Sequence, residues 1–233
     1  MKLRVQSRWL AFLIHLALSF VIFIGLAALI FFWWFPGALF SAAGGWDGIK
    51  IVAAVDLVLG PLLTLIVYNA AKPLSELVRD LSIIVAVQFS CLVTGVYVVF
   101  DARPILVVHA YDTFYAFKRT EVVAGGIDLE KLDEFVGGYP KVLYVEVPQD
   151  PVGFAHMQMM VTLEGKTPIP LRSDLYRMMP SDAAAVEALL HGEVDHQQGS
   201  CIRLSIESSY NAGLVCVDPG NLSFSYFEKK PNE

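Results

Sequence analysis

An acidic side chain within an apolar run is the residue with the clearest capacity for chemistry in this sequence. Residues 49–68 are almost entirely apolar apart from Asp56, and an ionised carboxylate costs up to about 2.5–3.5 kcal/mol at the centre of a membrane helix. At about 100° per residue, one helical face collects small and polar side chains around this acid. Its members are Ala53, Asp56, Gly60 and Thr64. Such a stripe is suited to close contact between helices.

A matching face is predicted in the apolar run of residues 81–100. It contains Gln88, Cys91 and Gly95. In the run of residues 49–68, Pro61 lacks a backbone N–H donor and is expected to kink the helix. Asp56 is expected about two turns from the outer end of its run. An antiparallel pairing of the two runs places it near the depth of residues 95–97 and places Thr64 near residues 84–88, so His15 can reach the level of Thr64 but not that of Asp56.

Three functions fit this polar stripe. The first is packing of the helices of one bundle against each other. The second is docking of a further transmembrane helix, and the third is a part in a proton relay. Packing is the general expectation for small and polar residues in membrane helices. A relay requires several ionisable groups at connecting depths, and the sequence offers only Asp56 and His15, at separate depths.

No other cluster carries a recognised catalytic pattern. The segment His191–His196 holds two histidines and two acids, but it lacks the spacing of known zinc sites. An acidic, solvated loop is therefore favoured over a metal site there. The chain shows no nucleophile-elbow, zincin or phosphate-binding glycine motif. We expect no catalytic residue, no metal and no cofactor.

Cysteine usage indicates one disulfide. Of the three cysteines, Cys91 lies within an apolar run, whereas Cys201 and Cys216 lie in the C-terminal part of the chain. This pair opens one predicted strand and lies in its hairpin neighbour, so a bridge is geometrically reasonable. In the chain-entropy model, closing a loop of about 15 residues stabilises a protein by about 3 kcal/mol.

Composition points to a membrane protein with one small domain. The 233 residues are 55% hydrophobic and 17% charged, whereas soluble domains carry about a quarter charged residues. Residues 1–100 hold six basic and four acidic side chains, and residues 101–233 hold 11 basic and 19 acidic ones. This pattern excludes a purely soluble enzyme, a disordered chain and a nucleic-acid binder that works through a basic surface.

Three transmembrane helices are predicted within a membrane domain of residues 1–100, at about 9–35, 49–68 and 81–100. The first run ends in the aromatic sequence FFWWF, which is typical of a membrane interface. A cleaved signal peptide is the alternative for this run, but a signal core spans only about 7–15 residues. Basic residues near the ends of the runs predict a cytoplasmic N-terminus and place the C-terminal domain, residues 101–233, outside the cytoplasm, which is the periplasm if the source is a Gram-negative bacterium.

The C-terminal domain is predicted to be a small α+β fold with a mainly antiparallel sheet. Strands are expected at 105–109, 113–117, 142–147, 202–207, 214–217 and 222–227. Asp128 is expected to cap a helix over 129–136, and Ser181 to cap a second helix. Residues 148–180 are rich in Met and Pro and show no assignable pattern. Their methionines either fill gaps in the core or form an adaptable surface.

Two stretches of the membrane part carry a shared motif. One is Asp56–Asn69, with the core D-x-x-x-G-P-L-L-T-L, and the other begins at Arg79 and continues through Gln88 to Arg103-Pro104. Together they resemble the bacterial type IV pilin accessory proteins, over about residues 46–109. The motif positions of that family in this chain are Asp56, Gly60, Pro61, Thr64, Arg79, Asp80, Gln88, Tyr97, Arg103 and Pro104.

The resemblance implies an inner-membrane protein that assists the stability or assembly of its cognate type IV pilin by chaperone-like binding, without catalysis. A pilin awaiting assembly is a membrane helix with an outward globular head. The implied partners are that helix and head, the lipid bilayer and the pilus assembly machinery, with no nucleic acid. We hypothesise that the stripe around Asp56 receives or buttresses the pilin helix, while residues 105–233 meet the head and set subtype preference.

Two rival functions remain at the level of the sequence. A membrane-bound enzyme that modifies pilin would change the mass of the pilin. An envelope sensor that binds a ligand would need a cytoplasmic output module, and only residues 1–8 and about 69–80 are predicted to face that side.

Overall fold

The computed structural model describes residues 7–148, 150–163, 165, 167–195 and 201–230. It divides into two compact units. The helical unit comprises residues 1–34 and 45–100, and the α/β unit comprises residues 35–44 and 101–233. Residues 35–44, which the sequence groups with the membrane part, therefore pack with the C-terminal domain.

The first four helices in chain order include three long ones. They are α1 (Arg8–Trp34), α2 (Leu39–Ala42), α3 (Gly45–Val67) and α4 (Leu74–Ala102). By length and composition, α1, α3 and α4 are each able to cross a membrane. Many of their apolar side chains are exposed, among them Val21, Ile66 and Phe89. An apolar surface of this extent requires lipid or partner helices around it.

The long helices extend beyond the predicted spans. The second starts four residues earlier than predicted and the third seven residues earlier, because charged side chains at their ends do not stop the helix. Asp47 and Lys50 lie inside the first turns of α3 and form an exposed ion pair at 3.1 Å. Near the start of α4, Asp80 pairs with Lys72 at 2.7 Å and with Arg79 at 3.7 Å.

A π-helical turn precedes Pro61 in α3. Residues Ala54–Leu59 form this turn, and the Gly60 N–H donates to the Val55 carbonyl, five residues back. The wider turn ends where Pro61 supplies no N–H, so the missing donor is accommodated by a local change of helical pitch. Asp56 lies inside this turn.

Three close approaches set the register between α3 and α4. A Cβ added at Gly48 would lie 2.9 Å from Val99, and one added at Gly95 would lie 3.6 Å from Ile51. A Cβ added at Gly60 would overlap the terminal amide of Gln88. The two helices are therefore antiparallel, with glycine allowing each close contact.

The α/β unit is built on one eight-stranded sheet. Its strands are β1 (Pro104–Ala110), β2 (Thr113–Lys118), β3 (Lys141–Val145), β4 (Tyr176–Met178), β5 (Glu193–Asp195), β6 (Cys201–Ser208), β7 (Ala212–Val217) and β8 (Phe224–Lys229). The order is β4-β3-β1-β2-β6-β7-β8, with β5 paired to β6. Most neighbours are antiparallel, as predicted, but β1–β3 and β2–β6 are parallel.

The parallel pairs explain why the sheet is mixed. Two parallel strands need a long crossover between them, usually with a helix. The crossovers here include helices that were not predicted from the sequence or were predicted with other bounds. The remaining helices are α5 (Arg119–Ala124), α6 (Leu129–Asp133), α7 (Pro151–Leu163) and α8 (Ala183–Leu190). All seven residues of β1 are buried, because both faces of this central strand are covered.

Each face of the sheet carries one hydrophobic cluster. The first contains Leu39 and Ala42 of α2 together with Val186 and Leu190 of α8. The second contains Val122 of α5, Leu132 of α6 and other side chains around the 3₁₀ turn Ile169–Leu171. The short segment 35–44 is therefore part of the core of the α/β unit.

Two predicted helix boundaries in the α/β unit were wrong. The N-cap of α8 is Asp182, whose carboxylate accepts from the Ala185 N–H at 3.1 Å, and not Ser181. Asp128 caps α6 as predicted, accepting from the Glu130 N–H at 3.0 Å, but this helix ends at Asp133 instead of 136.

The stretch of residues 148–180, which had no predicted structure, contains α7, none of whose residues is fully buried. Met157 packs against the second cluster, so at least this methionine fills space beside the core, whereas Met159 is exposed.

Candidate functional site

A groove of about 450 Å³ lies within the helical unit. Its walls are formed by one face of α1 and one face of α4, and residues of α3 form its floor. The lining residues are Ala11, Ile14, His15, Leu18, Ser19, Ile22, Asp56, Thr64, Tyr68, Leu81, Ile84, Val85, Gln88, Phe89 and Leu92. The lining is mostly apolar, and its polar members are brought together from all three helices.

Two sets of hydrogen-bonded side chains face this groove. His15 Nδ1 of α1 lies 2.5 Å from Thr64 Oγ1 of α3. Farther along, Gln88 Nε2 of α4 donates to Ser19 Oγ and to Asp56 Oδ1, each at 3.4 Å. Both contacts of Gln88 are longer than the usual 2.7–3.2 Å of an N–H···O bond, an indication of weak pairing.

Asp56 lies at the middle of its helix. It is 2% exposed, and it is the central residue of Gly45–Val67, about 16 Å from either end at 1.5 Å per residue. Gln88 is likewise the central residue of α4. From the sequence, Asp56 was expected nearer one end of its helix and opposite residues 95–97, but Gly95 lies against Ile51 and Gly60 against Gln88, so that pairing was wrong. The early start of α4 shifts the register, and the long Gln88 side chain reaches Asp56 instead.

The predicted stripe on α3 is largely internal to the unit. Asp56, Gly60, Pro61 and Thr64 are buried, and Ala53 is half-buried. The absence of a side chain at Gly60 makes room for the Gln88 amide. On α4, Gly95 is half-buried, but Cys91 is exposed. The prediction that Cys91 shares the internal face with Gln88 was therefore wrong, because Cys91 lies about 60° around the helix from Gln88, which is itself only half-buried.

The other motif positions do not join the groove. Arg79 and Tyr97 are exposed on α4, while Asp80 is held by Lys72. Arg103 and Pro104 follow α4 and belong to the α/β unit, where Pro104 is the first residue of β1. Burial lowers the pKa of Arg103.

The groove includes two residues that sequence reasoning did not place together with Asp56. Ser19 is buried and shares the Gln88 amide with the acid. The sequence indicates a role for Ser19 only weakly, since a single serine in a long apolar run is common and its hydroxyl usually hydrogen-bonds to the backbone of its own helix. His15 was expected near Thr64, and the structure places it there.

The candidate sites of the α/β unit have a simpler outcome. Cys201 and Cys216 form a disulfide with their Cα atoms 5.4 Å apart. His191 ends α8 in a left-handed conformation, and His196 lies outside the described residues. Among the residues that the structure describes, no group of three or more His, Cys, Asp or Glu side chains could hold a metal ion.

Fold and groove together define a class of protein, in which three apolar helices long enough to span a bilayer are joined to a mixed α/β unit. Comparison with known sequences identifies curated relatives from Dichelobacter nodosus. The chain is 36% identical over 110 residues to a fimbrial assembly protein of serogroup E1, covering 47% of this chain and 43% of that relative. It is 34% identical over 110 residues to a fimbrial assembly protein of serogroups C1 and C2, covering 84% of that relative.

A third relative, the fimbrial assembly protein of serogroup I, is 34% identical over 110 residues, and 43% of its length is covered. The chain thus spans less than half the length of two of these relatives and most of the third. No family model and no solved structure matches the chain. On the extent of its similarity to the relative of serogroups C1 and C2, the chain belongs to the family of fimbrial assembly proteins.

Proposed function

We propose that this protein is an inner-membrane accessory protein of type IV pilus biogenesis, which assists the stability or assembly of its cognate pilin by chaperone-like binding. The observation that carries the proposal is the groove between α1 and α4, with its buried polar floor on α3. Relatives named fimbrial assembly proteins support the biological process. The motif D-x-x-x-G-P-L-L-T-L, which suggested a pilin accessory protein, supplies the floor of the groove.

The proposed binding event is helix docking in the membrane. The groove is lined from Leu81 to Leu92 on α4, about 16 Å or three helical turns. Its apolar walls match the side chains of one face of a transmembrane helix, and the polar floor adds hydrogen-bonding groups at mid-depth. In this proposal the pilin helix lies along the mouth of the groove and inserts its side chains between α1 and α4.

The proposed topology has the N-terminus in the cytoplasm and the α/β unit in the periplasm. Basic residues near the ends of the apolar runs support this orientation. The Cys201–Cys216 disulfide also supports it, since disulfides persist in oxidising compartments such as the periplasm. The α/β unit is then on the side of the pilin head, which it contacts to set subtype preference.

Binding without catalysis is part of the proposal. Several polar side chains at the groove contact one another across helices, as in His15–Thr64 and Gln88–Asp56. A pilin-modifying enzyme remains the alternative, and the intact mass of pilin from strains with and without this protein distinguishes the two. An unchanged pilin mass together with reduced pilin levels or fewer surface pili supports the accessory role, and a mass change that depends on this protein contradicts it.

Site-specific crosslinking tests the groove directly. Phe89→Cys, made in a Cys91→Ser background, places a thiol on the groove wall, and the cognate pilin carries a series of single cysteines along its membrane helix. We expect disulfide crosslinks to pilin from Phe89→Cys. The native chain provides the matched control, because Cys91 lies on the same helix, is exposed and does not line the groove.

A second control is Ile66→Cys on α3, again with Cys91→Ser. Ile66 is 77% exposed and lies outside the groove lining, so it should crosslink weakly. Crosslinks from Cys91 or Ile66→Cys at the same yield as from Phe89→Cys, or none from the groove position, would contradict helix docking in the groove.

A further inference from the structure

Asp56 has an incomplete set of hydrogen bonds at the floor of the groove. Its Oδ1 accepts from Gln88 at 3.4 Å, and its Oδ2 is buried without a hydrogen-bond partner among the described residues. Gln88 divides its amide between Asp56 and Ser19. The carboxyl group of Asp56, at the middle of its helix, thus accepts one long hydrogen bond from the described side chains.

The surrounding helices hold this carboxyl group in place. Asp56 is 2% exposed, and it lies within the π-helical turn directly before Gly60 and Pro61. Gln88 occupies the space that a side chain at Gly60 would fill. Because a buried polar group without a partner costs about 1–3 kcal/mol, a ligand that donated a hydrogen bond to Oδ2 would stabilise this arrangement.

The groove itself places no donor in contact with Asp56 Oδ2, although its lining includes the hydroxyl groups of Ser19, Thr64 and Tyr68. Its lining contains no Lys or Arg, and its one histidine, His15, contacts Thr64. Lipid headgroups are too far away, since Asp56 lies about 16 Å along the helix from either end of α3. A membrane helix lying along the groove is the occupant that can bring a donor to this depth.

We infer that Asp56 is the polar anchor of the groove and hydrogen-bonds an N–H or O–H donor carried near the middle of the bound transmembrane helix. This inference rests on the proposed function, in which the groove binds a helix. It adds the chemistry of recognition: apolar walls accept most transmembrane helices, whereas the unpaired Oδ2 selects those with a donor at the matching depth. The donor is either a neutral amide or hydroxyl group or a cationic nitrogen.

Synthetic transmembrane peptides test this selection with the full-length protein in nanodiscs. Three peptides share a Leu/Ala host sequence of about 21 residues and carry Leu, Gln or Lys at the centre. Binding is measured by fluorescence energy transfer from a labelled peptide to a label on the protein. We expect the Gln or Lys peptide to bind at least about tenfold more tightly than the Leu peptide.

Variants at Asp56 assign the preference to this carboxyl group. Asp56→Leu, which is similar in size and cannot accept a hydrogen bond, should reduce the preference to less than about twofold. Asp56→Asn identifies the kind of donor. A preference for the Gln peptide over the Leu peptide that survives this change indicates a neutral donor. A preference for the Lys peptide over the Leu peptide that disappears indicates a cationic donor. Thr94→Val is the matched control, because Thr94 is exposed on α4, lies outside the groove lining and donates its hydroxyl to the carbonyl of Ser90.

The inference is overturned if the three peptides bind equally to the native protein, or if Asp56→Leu keeps the preference. Failure here is distinguishable from failure of the proposed function. If pilin still crosslinks to Phe89→Cys and the yield is the same in an Asp56→Leu background, the groove binds the helix and the role of Asp56 is wrong. If pilin does not crosslink to the groove at all, the proposed function fails first. The intact Cys201–Cys216 disulfide in Asp56→Leu verifies that the α/β unit of this variant folds, and unchanged binding of the Leu peptide verifies that its helical unit does.

Discussion

At the scale of single residues, His109 shows how the α/β unit holds a titratable group in a neutral environment. This β1 side chain is 6% exposed and packs against the Phe114 ring at a centroid distance of 5.0 Å. Its Nε2 has no hydrogen-bond partner among the described residues. Burial lowers the pKa of His109 to about 4, with a smaller opposing effect from Asp112.

The depressed pKa of His109 predicts a loss of stability in mild acid. The unfolded chain binds a proton at this histidine near pH 6.5, whereas the folded chain does so only near pH 4. The contribution of neutral, buried His109 to the free energy of unfolding is therefore complete above about pH 6.5. It is lost progressively as the pH falls to about 4, and the total loss is roughly 3 kcal/mol at most. Urea unfolding of the full-length protein at several pH values, followed by hydrogen exchange of β1 and β2, measures this slope.

The variant His109→Leu should flatten that pH dependence. The matched control is His156→Leu, an exposed position on α7, which should retain the native slope. Equal slopes in the native protein and His109→Leu would show that other groups govern the acid response.

At the scale of elements, the short segment around α2 is anchored by backbone contacts to the sheet. The Ala38 N–H donates to the Phe224 carbonyl of β8 at 2.7 Å, and Ser208 Oγ donates to the Ala42 carbonyl at 2.7 Å. Gly37 has a φ of +61°, and a Cβ there would overlap the same Phe224 carbonyl. A glycine is required at this position for both reasons.

Gly37→Ala is therefore expected to lower the free energy of unfolding of the α/β unit by about 2 kcal/mol or more. Gly126 is the matched control, since it also has a positive φ, of +78°, but has open space where a Cβ would lie. Gly126→Ala should cost only about 1–2 kcal/mol from the left-handed backbone. The comparison uses the urea midpoint of the full-length protein, and an equal cost for both variants would contradict the close approach of Gly37 to β8.

The disulfide between β6 and β7 also belongs to this scale. It joins residues 15 positions apart, and the chain-entropy model gives about 3 kcal/mol for a loop of this size. Replacing both Cys201 and Cys216 by Ser should lower the urea midpoint of the α/β unit accordingly. Cys91→Ser is the control, because this thiol is free and exposed and its removal should leave the midpoint unchanged. A midpoint that is insensitive to the double replacement would assign no stabilising role to the bridge.

At the scale of the whole molecule, the chain passes between its two units three times. It leaves the helical unit after Trp34, contributes residues 35–44 to the α/β unit, returns at Gly45, and leaves again after Phe100. Phe35, Leu39 and Phe40 are all buried. The connection between two predicted spans is thus an integral part of the C-terminal fold.

Replacement of residues 35–44 by a ten-residue Gly/Ser linker in the full chain should destabilise the α/β unit by more than about 3 kcal/mol, because several large apolar side chains leave its core. Hydrogen exchange of β6 and β8 reports this loss of protection. The corresponding replacement of residues 69–73, which connect α3 and α4, is the control and should leave that protection unchanged. Native protection in the first variant would show that the C-terminal fold is independent of this segment.

Local patterns predicted much of the molecule. Long apolar runs define α1, α3 and α4, alternating residues define most strands, and Asp128 caps its helix, because each depends on neighbours within a few residues along the chain. The disulfide followed from two predicted hairpin strands. The acid in an apolar run was recognisable at once, because its cost in a bilayer does not depend on the fold.

Only the tertiary structure decided what surrounds Asp56 and where residues 35–44 belong. The partner of Asp56 depends on the register between α3 and α4, and a shift of one turn, about 5.4 Å, exchanges one set of neighbours for another. Likewise, the parallel pairing of β1 with β3 and the burial of Leu39 join segments far apart in the chain. Hydropathy and spacing along the sequence identified the groups that need partners, and long-range packing determined which partners they found.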